Sequence, residues 1–446
     1  MRAHGFVRRI ERTEFARSYG FVRKVAPGFV EATGPAVPLG ELCEIECASG
    51  PAGTGRATIL AEVAAVDERR VVLIPLEEGG AIVPEAKVSA GPSRARVPVG
   101  DAFAGRAVDA LGRPIDGRGP IAAGEFMPLS GTVPRPMDRR NSSQVMPTGI
   151  RAIDGLLTLG VGQRVGIFAA SGVGKTSLIE QLADQIDSDR TVICLVGERG
   201  REVESNWRRL ANRADRERFV VVAATSDESA ALRARAAAYA LCLADHWRER
   251  GEHVVLLVDS VTRLAMALRE IGLAAGAPPT VRAYTPNVFA ALPRLVERCG
   301  ATGGSGAITA IMTVLSETDD VDDPIVELMK SLLDGHIVLS RALAEQGHFP
   351  AIDIPRSVSR GAHRLVAPLQ ADAMRAATAM ISAYEESRVM IESGVYRSGT
   401  NPVVDRAIAA RPAIDAFLRQ GMGDKVRPED TVRQLCAAVG DGAAHG

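Results

Sequence analysis

Apolar and polar positions change rhythm along the chain. From residue 19 to 94 the apolar residues come in short runs, as in GFVEATG, ELCEIECA, ATILAEVAAV and RRVVLIPL, with Gly, Pro and Asp turns between them. Short β-rich runs punctuated in this way predict a small β-barrel or sandwich. Within ELCEIECA, Cys43, Ile45 and Cys47 alternate with Glu44 and Glu46, which reads as a strand with its cysteines facing inward. Two thiols at that spacing stand ~13 Å apart, beyond the ~7 Å that a disulfide spans. Between 95 and 150 Gly and Pro are dense, as in GRAVDALGRPIDGRGP, and the segment reads as connecting chain along the surface. After that the texture changes. RVGIFAA, RTVICLV, RFVVVAAT, HVVLLVDS and GAITAIMTVL are continuous apolar runs, mostly separated by stretches of helical period. Parallel strands buried on both faces look like this. One intervening helix is expected to start near Asp227 and run to Gly251, with an acidic start and a glycine stop. Beyond 366, QADAMRAATAMISAYEESRVMIES and NPVVDRAIAARPAIDAFLRQG read as helices with no strand between them.

The rhythm therefore divides the chain into a basic N-terminal segment (1–18), a β-barrel (19–94), an α/β core that begins with the connecting segment (95–365) and a helical C-terminal domain (366–446). A length of 446 residues agrees with several cores rather than one. Lys plus Arg total 53 against 54 Asp plus Glu, so no global positive field draws the chain to nucleic acid or to an anionic membrane. The six cysteines form no CxxC pair, which signals neither a disulfide framework nor a zinc site and fits a reducing cytoplasm. No stretch reaches the ~20 apolar residues that span a bilayer, and the N-terminus lacks the apolar run of a secretory signal. Arg2, Arg8, Arg9, Arg12 and Arg17 lie among Phe6, Val7, Ile10 and Phe15, a spacing open to two readings: a short amphipathic helix awaiting a partner, or a frayed terminus.

The strongest chemistry is AASGVGKTSL. Ala169 to Thr176 follow the phosphate-loop pattern with Ala in place of the first Gly, after the strand RVGIFA and before the helix TSLIEQLADQI. Ala170, Ser171, Gly172, Val173, Gly174, Lys175, Thr176 and Ser177 are the candidate nucleotide-binding residues. Gly172 and Gly174 let N–H groups turn inward, and the helix N-terminus adds partial positive charge. Lys175 is a point charge for the β and γ phosphates, and Thr176 supplies an oxygen to Mg²⁺. Ala169 is tolerable where its φ stays negative. HVVLLVDS ends in Asp259, placed to hold Mg²⁺ through water, and CLVGERG places Glu198 at the same sheet edge as the general base for an attacking water. Taken alone, either acid could instead cap the next helix. No guanine-reading NKxD pattern is visible, which favours ATP.

GRAVDALGRPIDG, TGIRAIDGLLTLGVGQRVGIFAASGVGKTS, VGERGREVE, TVLSETDDVDDPI, LLDGHIVLSRALAEQGHFPAIDI and SVSRG, in this order, resemble the type III secretion ATPases of flagella and injectisomes, relatives of the catalytic head of rotary ATP synthases. The resemblance implies an N-terminal β-barrel, a RecA-like P-loop ATPase core, a helical C-terminal domain and a homohexamer. It implies that Lys175, Thr176, Glu198 and Asp259 take the roles argued above, that Arg199 lies beside the γ-phosphate, and that Arg360 reaches the neighbouring subunit's nucleotide. It further implies Mg²⁺-dependent ATP hydrolysis that energises protein export through chaperone release and cargo unfolding. The implied partners are a stator-like regulator at the N-terminal segment, an export gate, a stalk protein and chaperone–cargo complexes. The implied location is cytoplasmic, at the periphery of an inner-membrane export apparatus. The family often has Gly at Ala170, and smaller or acidic residues at Pro355 and Arg356. The pattern designates no residue that packs on adenine.

Two other readings share the same core. A hexameric nucleic-acid translocase would use a basic, aromatic-rich groove, whereas aromatics here are 4% and the net charge is -1, so no nucleic-acid partner is expected. A noncatalytic or rotary-synthase subunit acting as a structural partner is the other, and Glu198 argues against its noncatalytic version, because a binding-only subunit would not need a base.

Overall fold

In the computed structural model of the chain, which describes residues 18–48, 57–77, 80–91, 96–304, 306–315 and 323–440, the short alternating runs close into a barrel. The amphipathic reading of the N-terminus falls on residues 1–17, outside the described residues. The barrel strands are β1 (Tyr19–Ala26), β2 (Phe29–Ala32), β3 (Leu42–Cys47), β4 (Ala57–Val66), β5 (Val71–Pro75) and β6 (Lys87–Ala90), paired in the order β1-β2-β5-β4-β3-β6. β6 pairs back on β1, so no edge is left open. Val22, Val30, Ile45, Val63, Leu73 and Val88 fill the interior. Cys43, Ile45 and Cys47 are buried and the glutamates between them only partly so. Both thiols are free, and burial pushes that of Cys43 up to about 12.

The segment 95–150 is more than a connection. β7 (Arg96–Val99) and β9 (Glu125–Pro128) form an antiparallel ribbon, while β8 (Arg106–Val108) joins the central sheet. β10 (Arg139–Arg140) pairs with β15 (Gly300–Thr302). Strands of two or three residues are too short to show a period, and their places are set by partners more than 100 residues away in the chain.

The remaining strands are β11 (Arg164–Ala169), β12 (Arg190–Glu198), β13 (Phe219–Thr225), β14 (His253–Asp259), β16 (Ala307–Leu315), β17 (Gly335–Leu339) and β18 (Ile352–Ser359). The sheet runs β18-β17-β11-β16-β14-β12-β13-β8, parallel except at β18. Each central strand sends alternate side chains to two different cores. Val192, Cys194 and Val196 pack on one face with Leu256 and Met312, whereas Ile193 and Leu195 pack on the other with Val255, Leu257 and Ile167. This is why the runs read as apolar throughout.

The helices are α1 (Arg151–Leu156), α2 (Lys175–Gln185), α3 (Gly200–Ala211), α4 (Ala230–Glu249), α5 (Val261–Ala274), α6 (Pro286–Arg298), α7 (Pro324–Leu332), α8 (Arg341–Glu345), α9 (Ala362–Leu365), α10 (Pro368–Glu392), α11 (Pro402–Leu418) and α12 (Pro428–Val439). The helix expected from Asp227 begins at Ala230. Ser229 Oγ caps it by accepting the Leu232 N–H at 3.3 Å, while the Glu228 carboxylate accepts the Thr225 N–H at 2.7 Å and so belongs to the preceding turn. Gly251, at φ 91°, follows its end. The C-terminal domain holds α10 and α11 as anticipated and also α12, whose buried Thr431, Leu435, Ala438 and Val439 repeat at helical spacing. These helices share one core with the sheet face that carries Ile167 and Ile193. Among the described residues no helix is long and apolar enough to cross a membrane.

Candidate functional site

Three strands of the central sheet end in the residues that carry chemistry. β11 ends at Ala169, β12 at Glu198 and β14 at Asp259, and because β14 lies beside β12 and β16 separates it from β11, these ends share one edge. Gly172 and Gly174 have φ of 80° and 91°, in the left-handed region open to glycine, and α2 starts at Lys175. Ala169 is absent from the residues of positive φ, and its methyl lies in the core at 1% exposure. Ala at this position is therefore accommodated. Val173 is buried beneath the loop, whereas Ser171, Gly172 and Thr176 are exposed and Ser177 is half-buried.

Lys175 stands between the two carboxylates. Its Nζ donates to Asp259 Oδ1 and lies 3.9 Å from Glu198 Oε1. Thr313 of β16 also donates to Asp259 Oδ1, at 2.7 Å. Glu198 is 6% exposed. Burial pushes its carboxyl up to about 7, the negative charge of Asp259 pushes the same way, and Lys175 and Arg263 pull it down. A carboxyl poised near neutrality is suited to taking a proton from water.

Arg263, on α5, is a residue that sequence reasoning passed over. Its Nε lies 3.3 Å from Glu198 Oε1, and Nη1 donates to the Gly197 carbonyl at 2.5 Å. Nothing in RLAMAL marks this arginine; the contact follows from α5 packing beside the end of β12. Arg199 leads into α3, where its carbonyl accepts the N–H groups of Glu202 and Val203, and its side chain is exposed.

Phe349 is the second residue missed. Its ring is 47% exposed and stands against the loop: a Cβ placed on Gly174 would lie 3.4 Å from ring atom Cε1. The Phe349 carbonyl accepts the Gln420 N–H at 2.9 Å, and Gln185 of α2 donates to the Asp424 carbonyl at 2.8 Å. These bonds clamp segment 420–424, with exposed Met422, beside the loop helix. The available signal was an aromatic in GHFPAID, outside any apolar period.

Arg360 is placed elsewhere. Its N–H donates to the Asp334 carbonyl, and the Asp334 N–H donates to the carbonyl of Arg164, the first residue of β11. The loop begins at the other end of that strand, on the order of 16 Å away at ~3.3 Å per residue. The structure thus gathers Lys175, Thr176, Glu198, Arg199 and Asp259 at one sheet edge and leaves Arg360 at the opposite one.

Comparison with known proteins adds to this geometry. The nucleotide-binding domain of the ATP synthase alpha/beta family matches residues 149–359, and the T3SS EscN ATPase C-terminal domain matches residues 366–437. The flagellum-specific ATP synthase of Bacillus subtilis is 41% identical, over 99% of this chain and all of its own length. The type 3 secretion system ATPase of Xanthomonas euvesicatoria is 42% identical over 95% of both chains. The structure of the assembled ATPase EscN from enteropathogenic E. coli superposes with a TM-score of 0.88 at 39% identity, covering 94% of this chain and all of that one. EscN in complex with its central stalk EscO gives a TM-score of 0.84 at 38% identity, again covering 94% of this chain and all of that one.

Proposed function

The chain belongs to the family of flagellum-specific and type III secretion ATPases, and from that premise we propose how its residues divide the work. It is an ATPase, and its hydrolysis drives type III protein export. Each copy grips ATP through the inward N–H groups of 172–176 and the ammonium of Lys175. Thr176 Oγ and the Asp259 carboxylate are hard oxygen donors at the loop, a set that suits Mg²⁺ bound partly through water. When bound, Mg²⁺ supplies charge neutralisation at the phosphates. Glu198 takes the proton of the attacking water, Arg263 holds that carboxylate in place, and Arg199 stands beside the γ-phosphate. The base rests on the exposed ring of Phe349, with Met422 at its rim.

Arg360 completes the site of the next copy in a homohexameric ring. The observation that carries this reading is its position at the far end of β11, which puts it out of reach of its own loop. An arginine supplied in trans is worth ~10³ to 10⁵ in rate. The assembled state of the related EscN supports a ring, and the EscN–EscO complex supports a stalk protein as partner. In this reading the C-terminal helices meet chaperone–cargo complexes and the export gate, releasing chaperones and unfolding cargo. The basic N-terminal segment meets a stator-like regulator at the inner-membrane periphery. The test mixes Arg360→Ala with Lys175→Ala chains. Each is expected to be slow alone, and the mixture is expected to regain rate, because Lys175→Ala copies lend intact arginines to working loops. A mixture no faster than its components refutes the sharing.

A further inference from the structure

The edge of the sheet that carries Arg360 is itself a cleft. It encloses about 270 Å³ and is lined by five arginines, Arg139, Arg140, Arg164, Arg360 and Arg364, with Asp334 among them. They come from three parts of the chain: β10, the start of β11, and the turn from β18 into α9. Gly160 lets these parts meet. A Cβ there would stand 2.8 Å from Ser142 Cβ and 2.9 Å from Leu365 Cδ1, which brings the chain just after Arg140 against the chain just after Arg364.

Two of the five charges are already answered. Arg164 grips Asp334 through two parallel bonds of 2.9 Å and reaches Glu297 at 2.9 Å. Arg139 pairs with Glu297 at 2.7 Å and donates to the Cys299 carbonyl. Arg140, Arg360 and Arg364 are exposed and have no carboxylate partner among the described residues. Arg360 is held by a bond from Nη2 to the Lys330 carbonyl at 3.0 Å, which fixes its direction without neutralising it. A larger cleft of about 520 Å³ between β18 and helices α10 and α11 provides a contrast. There Arg411 is paired with Glu385 and Asp415, and Arg388 with Glu392, so its cations are balanced from within. Of these two clefts, among the described residues, the one at Arg360 combines several guanidiniums with a deficit of carboxylates.

We propose that this cleft receives the polyphosphate of the nucleotide bound by the neighbouring copy, with Arg364 and Arg140 joining Arg360 as its anion-binding residues. The inference rests on the reading that Arg360 acts in trans. Arg364 follows Arg360 by four residues, and Arg140 faces the same space from β10. Guanidinium–phosphate bonds are charge-assisted and directional. Three guanidiniums spread over the oxygens of a triphosphate meet a charge that one finger leaves only partly countered. No other anion on the surface of an identical copy is required, since the site at the far edge of its sheet carries the nucleotide.

The test measures ATP hydrolysis per chain at rising concentration for Arg364→Gln, Arg140→Gln and Arg360→Ala, each alone and mixed with Lys175→Ala. Removing one charge-assisted bond is expected to lower the assembled turnover of Arg364→Gln or Arg140→Gln by about tenfold. Admixture of Lys175→Ala is expected to restore the rate of the Arg364→Gln and Arg140→Gln loops, and Arg364→Lys to recover part of the loss. Turnover within twofold of the parent for both variants, while Arg360→Ala still loses its assembly-dependent rate, overturns this inference and leaves the trans role of Arg360 standing. A loss that Lys175→Ala copies do not repair also overturns it, because the defect then lies within the variant's own fold. Full activity of Arg360→Ala strikes the underlying reading itself.

Discussion

Replacing Arg263 by Gln should move the acid limb of the pH–rate profile upward. Glutamine keeps a donor for the Gly197 carbonyl while removing the cation beside Glu198. At the 3.3 Å between Arg263 Nε and Glu198 Oε1, two unit charges attract by about 5 kcal/mol at an effective dielectric of 20 and by about 1.3 kcal/mol in bulk water. The Arg263 side chain is 33% exposed, so solvent screening governs and the lower figure applies. At 1.36 kcal/mol per pH unit, the loss raises the Glu198 carboxyl by about one unit. Its starting point is about 7, set first by burial and then by the charge of Asp259. The sign follows from the role. A general base works only when ionised, so rate rises as pH rises through its pKa, and raising that pKa removes activity at neutral pH while sparing it in alkali. Moving from about 7 to about 8 lowers the ionised fraction at pH 7 from roughly one half to roughly one eleventh, about a fivefold loss of turnover. At pH 9 the variant and the parent should differ by little. The assay is steady-state phosphate release between pH 5.5 and 9.5 at saturating nucleotide and constant ionic strength. An acid limb that stays in place, or a loss equal at pH 7 and pH 9, refutes the electrostatic role of Arg263.

Three further outcomes follow from the same geometry. Glu198→Gln should keep nucleotide affinity, measured by fluorescent-nucleotide titration, and lose turnover by about 10² to 10⁴; substantial residual hydrolysis would remove Glu198 as the base. Phe349→Ala should raise the nucleotide Kd about tenfold, since stacking on an aromatic ring is worth about 1 to 3 kcal/mol per base, and Phe349→Tyr should restore it; an unchanged Kd would place the base elsewhere. Arg298→Ala should destabilise the fold by about 3 kcal/mol in urea unfolding, because it strips a buried carboxylate of one partner. Asp245, 1% exposed, receives Arg298 Nη2 at 2.7 Å, so a loss below 1 kcal/mol would mean that Arg248 alone suffices.

The layering of the chain was legible because burial writes itself into local rhythm. A barrel wall buried on one side shows alternation, and a sheet buried on both sides shows runs such as Val254 to Val258. The loop at 169–176 was legible for a different reason: inward N–H groups need glycine at fixed places, and Gly172 and Gly174 stand there with positive φ. Elements too short to carry a period escaped. β8 and β10 have three residues and two, and they exist because distant strands offer them hydrogen bonds. The start of α4 was misjudged because Asp227 and Glu228 fit a helix start in composition, and only the Ser229 cap settles which residue turns the chain.

By itself the sequence determined which residues are able to do chemistry: an ammonium after two glycines, carboxylates at the ends of apolar strands, an arginine after SVS. Periodicity and turn chemistry are local, so they survive in one dimension. Only the tertiary structure decided which of those residues meet. Strand order set Glu198 and Asp259 within reach of Lys175, helix packing brought Arg263 to Glu198 and the turn at Phe349 to the loop, and the antiparallel course of β18 carried Arg360 to the far edge among unneutralised arginines. These meetings span tens to hundreds of residues, and no local pattern records a distance across a sheet.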